Sequence, residues 1–196
     1  YRLVFHGYGG PRCLRSVYLR QRQRFIRDSA NTSRFTNDSA ETLEVQLSGS
    51  TDKMEYVVGY YALKDDAYTS NPQSYFGGAN AIGQNYSGSG DSTAIFGQLT
   101  YAIAENWDVT VGARSTEEDK EGFKQYVGII AAEGKDSFDD TTGTFILSHD
   151  YSDNTNLYFK VADGFKAGGF NAESSNPYAA STPYAPETIS STEFGL

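Results

Sequence analysis

Trp107-Asp108-Val109-Thr110-Val111-Gly112-Ala113-Arg114 alternates without a slip. Trp107, Val109, Val111 and Ala113 fall on one side of an extended backbone, and Asp108, Thr110, Gly112 and Arg114 on the other. Successive side chains of a strand point to opposite faces, so a period of two builds a surface that is apolar on one side and polar on the other. The same period flanks it. Leu43, Val45 and Leu47 alternate with Glu44, Gln46 and Ser48. Met54, Tyr56, Val58, Tyr60 and Ala62 share a face after a Gly49-Ser50-Thr51-Asp52 turn, which predicts a hairpin. Thr93 to Tyr101, Thr142 to Tyr151 and Asn156 to Asp163 alternate as well.

The connections alternate too. Ala104-Glu105-Asn106 and Ser152-Asp153-Asn154-Thr155 are short turns. Residues 64–91, 115–140 and the stretch from Gly164 to Tyr184 are long and polar. They read as loops, and loops of that length in a compact domain carry function or are disordered. A weak apolar patch, Tyr126 to Ala132, could be a strand inside the second of them. Strands of about 9–11 tilted residues cross a bilayer. Short turns on one rim and long loops on the other are the plan of an outer-membrane barrel. A soluble sandwich would show turn signals every 8–12 residues or so, without that asymmetry. Trp107, Tyr101, Tyr151 and Tyr158 sit near the short turns, where rings would form an interfacial girdle.

Composition agrees. The hydrophobic fraction is 38%, low for a packed core, while Tyr (15), Phe (12) and Gly (20) are prominent, as suits a wall wetted on one side. No apolar run approaches the roughly 18 residues of a membrane-spanning helix. Residues 1–34 hold eight arginines, no lysine and one acid, whereas residues 35–196 hold eight basic against 24 acidic residues. The switch marks a boundary near residues 30–40. It sets 1–34 apart as an Arg-rich segment not native to the barrel, a junction or a misread frame. Arg20-Gln21-Arg22-Gln23-Arg24 could also be a phosphate-binding arm, but the acidic remainder argues against a nucleic-acid protein. The chain starts at Tyr1 without a methionine and stops at Leu196 as alternation resumes, so a piece of a longer protein is expected.

Little here points to chemistry. Cys13 is single, which excludes an internal disulfide, and reads as incidental. His6 and His149 have no second ligand at metal spacing, and Glu117 to Glu121 match no calcium loop. Gly168-Gly169 lacks the strand-to-helix setting of a dinucleotide site. No catalytic residue, metal ligand or cofactor site is assigned, and an enzyme is not expected.

One further stretch carries a resemblance. Gly164-Phe165-Lys166-Ala167-Gly168-Gly169-Phe170-Asn171 follows a tyrosine-bearing strand and precedes Pro186-Glu187-Thr188 and Glu193-Phe194-Gly195-Leu196. This order resembles the barrel of TonB-dependent outer-membrane receptors. Glu41-Thr42-Leu43-Glu44-Val45, Ala94 to Tyr101 and Trp107 to Arg114 are similar to three further strands of that family, in family order. The resemblance implies an all-β, antiparallel transmembrane barrel segment, about eight strands of a barrel of about 22, spanning residues 35–196. It implies active import of a scarce nutrient, most often a ferric siderophore, across the outer membrane of a Gram-negative bacterium. The implied partners are outer-membrane lipid, the siderophore or similar ligand, and the TonB complex, which is met through a plug and N-terminus that this chain lacks. A passive porin-like barrel and a soluble β-rich adhesin are the alternatives. Gly164, Phe165, Lys166, Gly168, Gly169, Phe170, Asn171, Pro186, Glu187, Glu193 and Gly195 read as a structural strand-to-loop motif. Tyr68, Tyr75, Phe76 and Tyr86 are the candidate ligand-facing aromatics of the loops.

Overall fold

The computed structural model describes residues 2–12, 30–76, 80–126, 129–174 and 176–196. Cys13 and the run Arg15 to Arg27 lie outside the described residues. The strands are β1 (Arg2–Arg12), β2 (Asn31–Thr32), β3 (Phe35–Ser50), β4 (Met54–Tyr75), β5 (Asn80–Ala104), β6 (Trp107–Tyr126), β7 (Ile129–Ser152), β8 (Thr155–Lys166) and β9 (Glu187–Gly195), with a short helix α1 (Pro177–Ser181) before β9. They form one antiparallel sheet in the order β1-β3-β4-β5-β6-β7-β8-β9, while β2 adds to the far end of β4. The sheet is open, with β1 and β9 as the outer strands of that order. The first eleven of these residues, inside the Arg-rich stretch, pair in register with β3 from Arg2↔Ser48 to Arg12↔Asp38.

Register carries the period of two across the whole sheet. Leu47, Val58, Gly97, Ala113 and Gly143 are successive partners, as are Met54, Tyr101, Val109, Leu147, Phe159 and Phe194. The opposite face carries Gln46, Gly59, Phe96, Arg114 and Thr142 in one row. There the Arg114 guanidinium lies 5.3 Å from the Tyr61 ring and 5.7 Å from Phe96, close enough for cation–π attraction.

Among the described residues, no second layer covers the apolar face. Val58 is 48% exposed and Ile95 68%, whereas the buried apolar side chains are only Ala94, Ala132, Phe138, Ala167 and Ala180 among the described residues. Water-facing surfaces rarely leave so continuous an apolar area bare. The band runs from Met54 to Ala62 on β4, the length of a tilted bilayer crossing. Beyond it the same face turns charged, through Lys64, Asp91 and Asp119 and then Asp66, Glu121 and Lys135.

Three short turns, Thr51–Lys53, Glu105–Asn106 and Asp153–Asn154, lie at the near end of the band. Asn106 takes a left-handed backbone (φ 63), a conformation that Asn tolerates well. At the far end the expected loops over 64–91 and 115–140 are instead hairpins. β4 and β5 stay paired from Met54↔Tyr101 to Tyr75↔Asn80, and β6 and β7 from Trp107↔His149 to Tyr126↔Ile129. Their polar composition comes from leaving the apolar band, with both faces polar while the ladder of backbone hydrogen bonds continues. The girdle also needs a correction. Trp107 and Tyr101 lie on the apolar face, but Tyr158 pairs with Ser148 on the polar one and its hydroxyl donates to Glu193 at 2.6 Å. His149 is near a turn as expected, but stacks on Trp107 with ring centroids 4.3 Å apart.

Candidate functional site

The far ends of β5, β6 and β7 carry a second layer on their polar face. It is made by the segment between β8 and β9. Gly164, Phe165 and Lys166 still belong to β8, and Lys166 reaches Glu187 across β9 at 3.6 Å. After Lys166 the chain leaves the sheet, and Ala167, Gly168 and Gly169 are buried. Gly169 and Tyr184 exchange backbone hydrogen bonds at 3.3 and 2.8 Å, which closes the base of the loop.

Contact requires glycine here. A Cβ on Gly168 would stand 2.2 Å from the Tyr184 carbonyl oxygen and 2.5 Å from the Phe138 ring. Phe170 lies over β6 and β7, where Gly122 and Gly134 leave space: a Cβ at either would come within 2.7 or 2.4 Å of it. Both glycines share the polar face with Phe138, which is itself buried.

Polar contacts complete the fastening. Lys124 is wholly buried; its ammonium donates to the Ser174 carbonyl and lies 4.9 Å from the Tyr126 ring. Glu173 accepts the Tyr86 hydroxyl at 2.8 Å and meets Arg34 at 3.2 Å. Burial, then the hydrogen bond to Glu173, raise the Tyr86 pKa. α1 is capped by Asn176, whose side chain accepts the Tyr178 N–H at 3.0 Å, with Pro177 in the first turn. On the same face, burial pushes the Asp65 carboxyl up; Lys120 pulls it down, and Asp66, Glu118 and Asp91 add to the rise.

The candidate aromatics separate. Tyr86 and Tyr75 are on the polar face, Tyr75 donating to Gln73 at 2.6 Å. Tyr68 is on the opposite face, in register with Ser87, and 47% exposed. Phe76 follows the end of β4 with a left-handed backbone (φ 55). Pro186 precedes β9, Asn171 is exposed, and Glu193 pairs with Lys160 while Gly195 lies under the Tyr158 ring. Sequence reading missed Lys124, Phe138, Glu173 and α1. Asn176-Pro177, an N-cap followed by proline, was a usable signal for the helix. The burial of Lys124 had none, because its partner lies 50 residues away.

A wall apolar on one side and polar on the other, turned tightly at one end and extended at the other, defines a segment of a large transmembrane-type β-barrel with an inward-folded loop. The family model described as TonB dependent receptor-like, beta-barrel, matches residues 2–196. The chain belongs to the TonB-dependent receptor family and forms part of its barrel. Members of this family are receptors and transporters, not enzymes. Among solved structures, the ferric yersiniabactin uptake receptor FyuA from Yersinia pestis aligns with a TM-score of 0.72 at 18% identity, covering 87% of this chain and 27% of FyuA. The ferric citrate transporter FecA in its unliganded form aligns at 0.60 and 11%, covering 98% of this chain and 29% of FecA. At such identities the likeness is one of fold. The chain spans little more than a quarter of either protein. No curated protein sequence matches it.

Proposed function

We propose that this chain is wall of an outer-membrane importer for a ferric siderophore, driven through TonB by a plug outside this sequence. The observation that carries the reading is the loop from Ala167 to Pro186, held over the polar face of β5 to β7. A passive pore needs an open lumen, whereas a receptor needs ligand-facing surface at its mouth. Tyr86 and Tyr75 stand on that face, with exposed Tyr178 and Tyr184 on the loop, and we assign them to ligand contact. The siderophore class is supported by the two structural neighbours, one a ferric yersiniabactin uptake receptor and the other a ferric citrate transporter. Gly164 to Asn171 and Pro186 to Gly195 are proposed as the structural frame of the loop. The break in composition near residue 34 is kept as a proposed segment boundary. An intact, in-frame Arg-rich run in the parent gene would remove it.

The test is uptake. Deleting the complete gene should abolish energy-dependent accumulation of radioactive iron from one ferric siderophore under iron limitation, and so should removing TonB. Uptake that survives loss of TonB would make the barrel a passive pore.

A further inference from the structure

The face opposite the loop holds a groove that the transport reading does not use. It lies on the apolar side of the wall, beyond the end of the band, and encloses about 690 Å³. Its walls are Tyr68 on β4 and Phe123 on β6, and its floor is Ser87 on β5, the direct partner of both. Neighbouring strands are about 4.8 Å apart, so the two aromatic residues stand roughly 9.6 Å from each other. Ring faces stack at about 4.5 Å, and twice that distance leaves room for one flat saccharide ring. In the next row, Asp66 and Glu121 flank Ser89, an arrangement that accepts hydrogen bonds from hydroxyl groups. Glu133 adds a third carboxylate, and Lys135 is tied to Glu121 at 2.6 Å. The surplus of negative charge disfavours phosphate and sulfate.

Height identifies the source of the sugar. Tyr68 is six residues beyond Ala62, the last residue of the apolar band. At about 3.3 Å per residue and a 45° tilt this is roughly 14 Å above the hydrocarbon. Ordinary headgroups extend about 5–8 Å. A lipid reaches the groove only if its headgroup is several sugars tall. We propose that the Tyr68–Ser87–Phe123 groove binds a neutral hexose in the headgroup of a glycolipid packed against the outside of the barrel. This rests on the membrane reading above and extends it, because the band below the groove is the lipid interface.

The test uses the complete receptor in micelles with two glycolipid preparations, one carrying neutral hexoses and one truncated before them, read by native mass spectrometry. Wild type should retain the hexose-bearing form about tenfold over the truncated one, the effect of roughly 1.4 kcal/mol. Tyr68→Ala should remove that preference, and Ser87→Trp, which fills the floor, should remove it independently. Iron uptake should be unchanged in both variants. Equal retention of the two glycolipids by wild type overturns the proposal, as does a preference that survives Ser87→Trp. Binding of free maltotriose without any glycolipid preference overturns the assignment to a membrane lipid. A receptor that never enters the membrane would instead defeat the transport reading, and that is visible beforehand in its fractionation.

Discussion

Gly168 is where the loop meets the wall, and its surroundings permit no substitution. The nearest atom to a built Cβ is a backbone oxygen, which cannot rotate away as a side chain can. Gly168→Val should therefore cost about 1–3 kcal/mol of overpacking, taken from the loop and not from the ladder below it. Limited proteolysis of the folded receptor should cut within 167–186 faster than wild type while the barrel keeps its heat-modifiable migration; unchanged cutting would show that the loop is held elsewhere. Tyr86 offers a reversible release. Its pKa is raised above the ordinary 10.0 in the folded state, so the native form keeps its proton longer than the unfolded one. That contribution is complete below pH 10 or so and is lost as pH rises through the raised value. Protease protection of the loop should fall with pH in that window, and Tyr86→Phe, which has no proton to lose, should flatten the response.

Elements differ in how far their two faces disagree. Val58 is the midpoint of the band on β4 and faces outward, whereas Val57 faces the polar side. Arg at a lipid-facing midplane position costs about 2–4 kcal/mol. Val58→Arg should lower the folding free energy into lipid vesicles by that amount and Val57→Arg by clearly less; equal losses would mean that the apolar face is not turned to lipid. The same contrast explains what was legible beforehand. On the proposed membrane reading, lipid demands apolar residues at every second position within the band, so the strands from Met54, Thr93, Trp107 and Thr142 can be read directly. Above it water wets both faces, alternation stops, and Ser87-Gly88-Ser89-Gly90 has the composition of a loop while forming regular strand. The motif glycines read as structural frame, but the close contacts made around them by Phe138, Gly122 and Gly134 had no signal, since these come from other strands. Lys124 looked like one more charge in a polar run.

The whole molecule is a sheet with almost no interior. Five apolar side chains are buried among the described residues, and four are alanines. Hydrophobic stabilisation scales with apolar area removed from water, at about 25 cal/mol per Å², and this sheet in water leaves Leu43, Val58, Ile95, Val111 and Phe145 exposed. On the proposed membrane reading its stability comes from the bilayer against the band and from strands that complete the wall. The open edges make the same demand, because among the described residues β1 and β9 present outer backbone groups with no strand beside them, which water can satisfy and hydrocarbon cannot. Residues 1–196 expressed alone in detergent-free buffer should accordingly sediment as large oligomers with strand-rich circular dichroism, joined edge to edge and face to face. Detergent should disperse them without producing the heat-modifiable migration of a closed barrel, since detergent covers the apolar face but cannot pair the edges. A soluble monomer with one cooperative unfolding transition would require a core that this sheet does not have, and would overturn the reading of the chain as barrel wall.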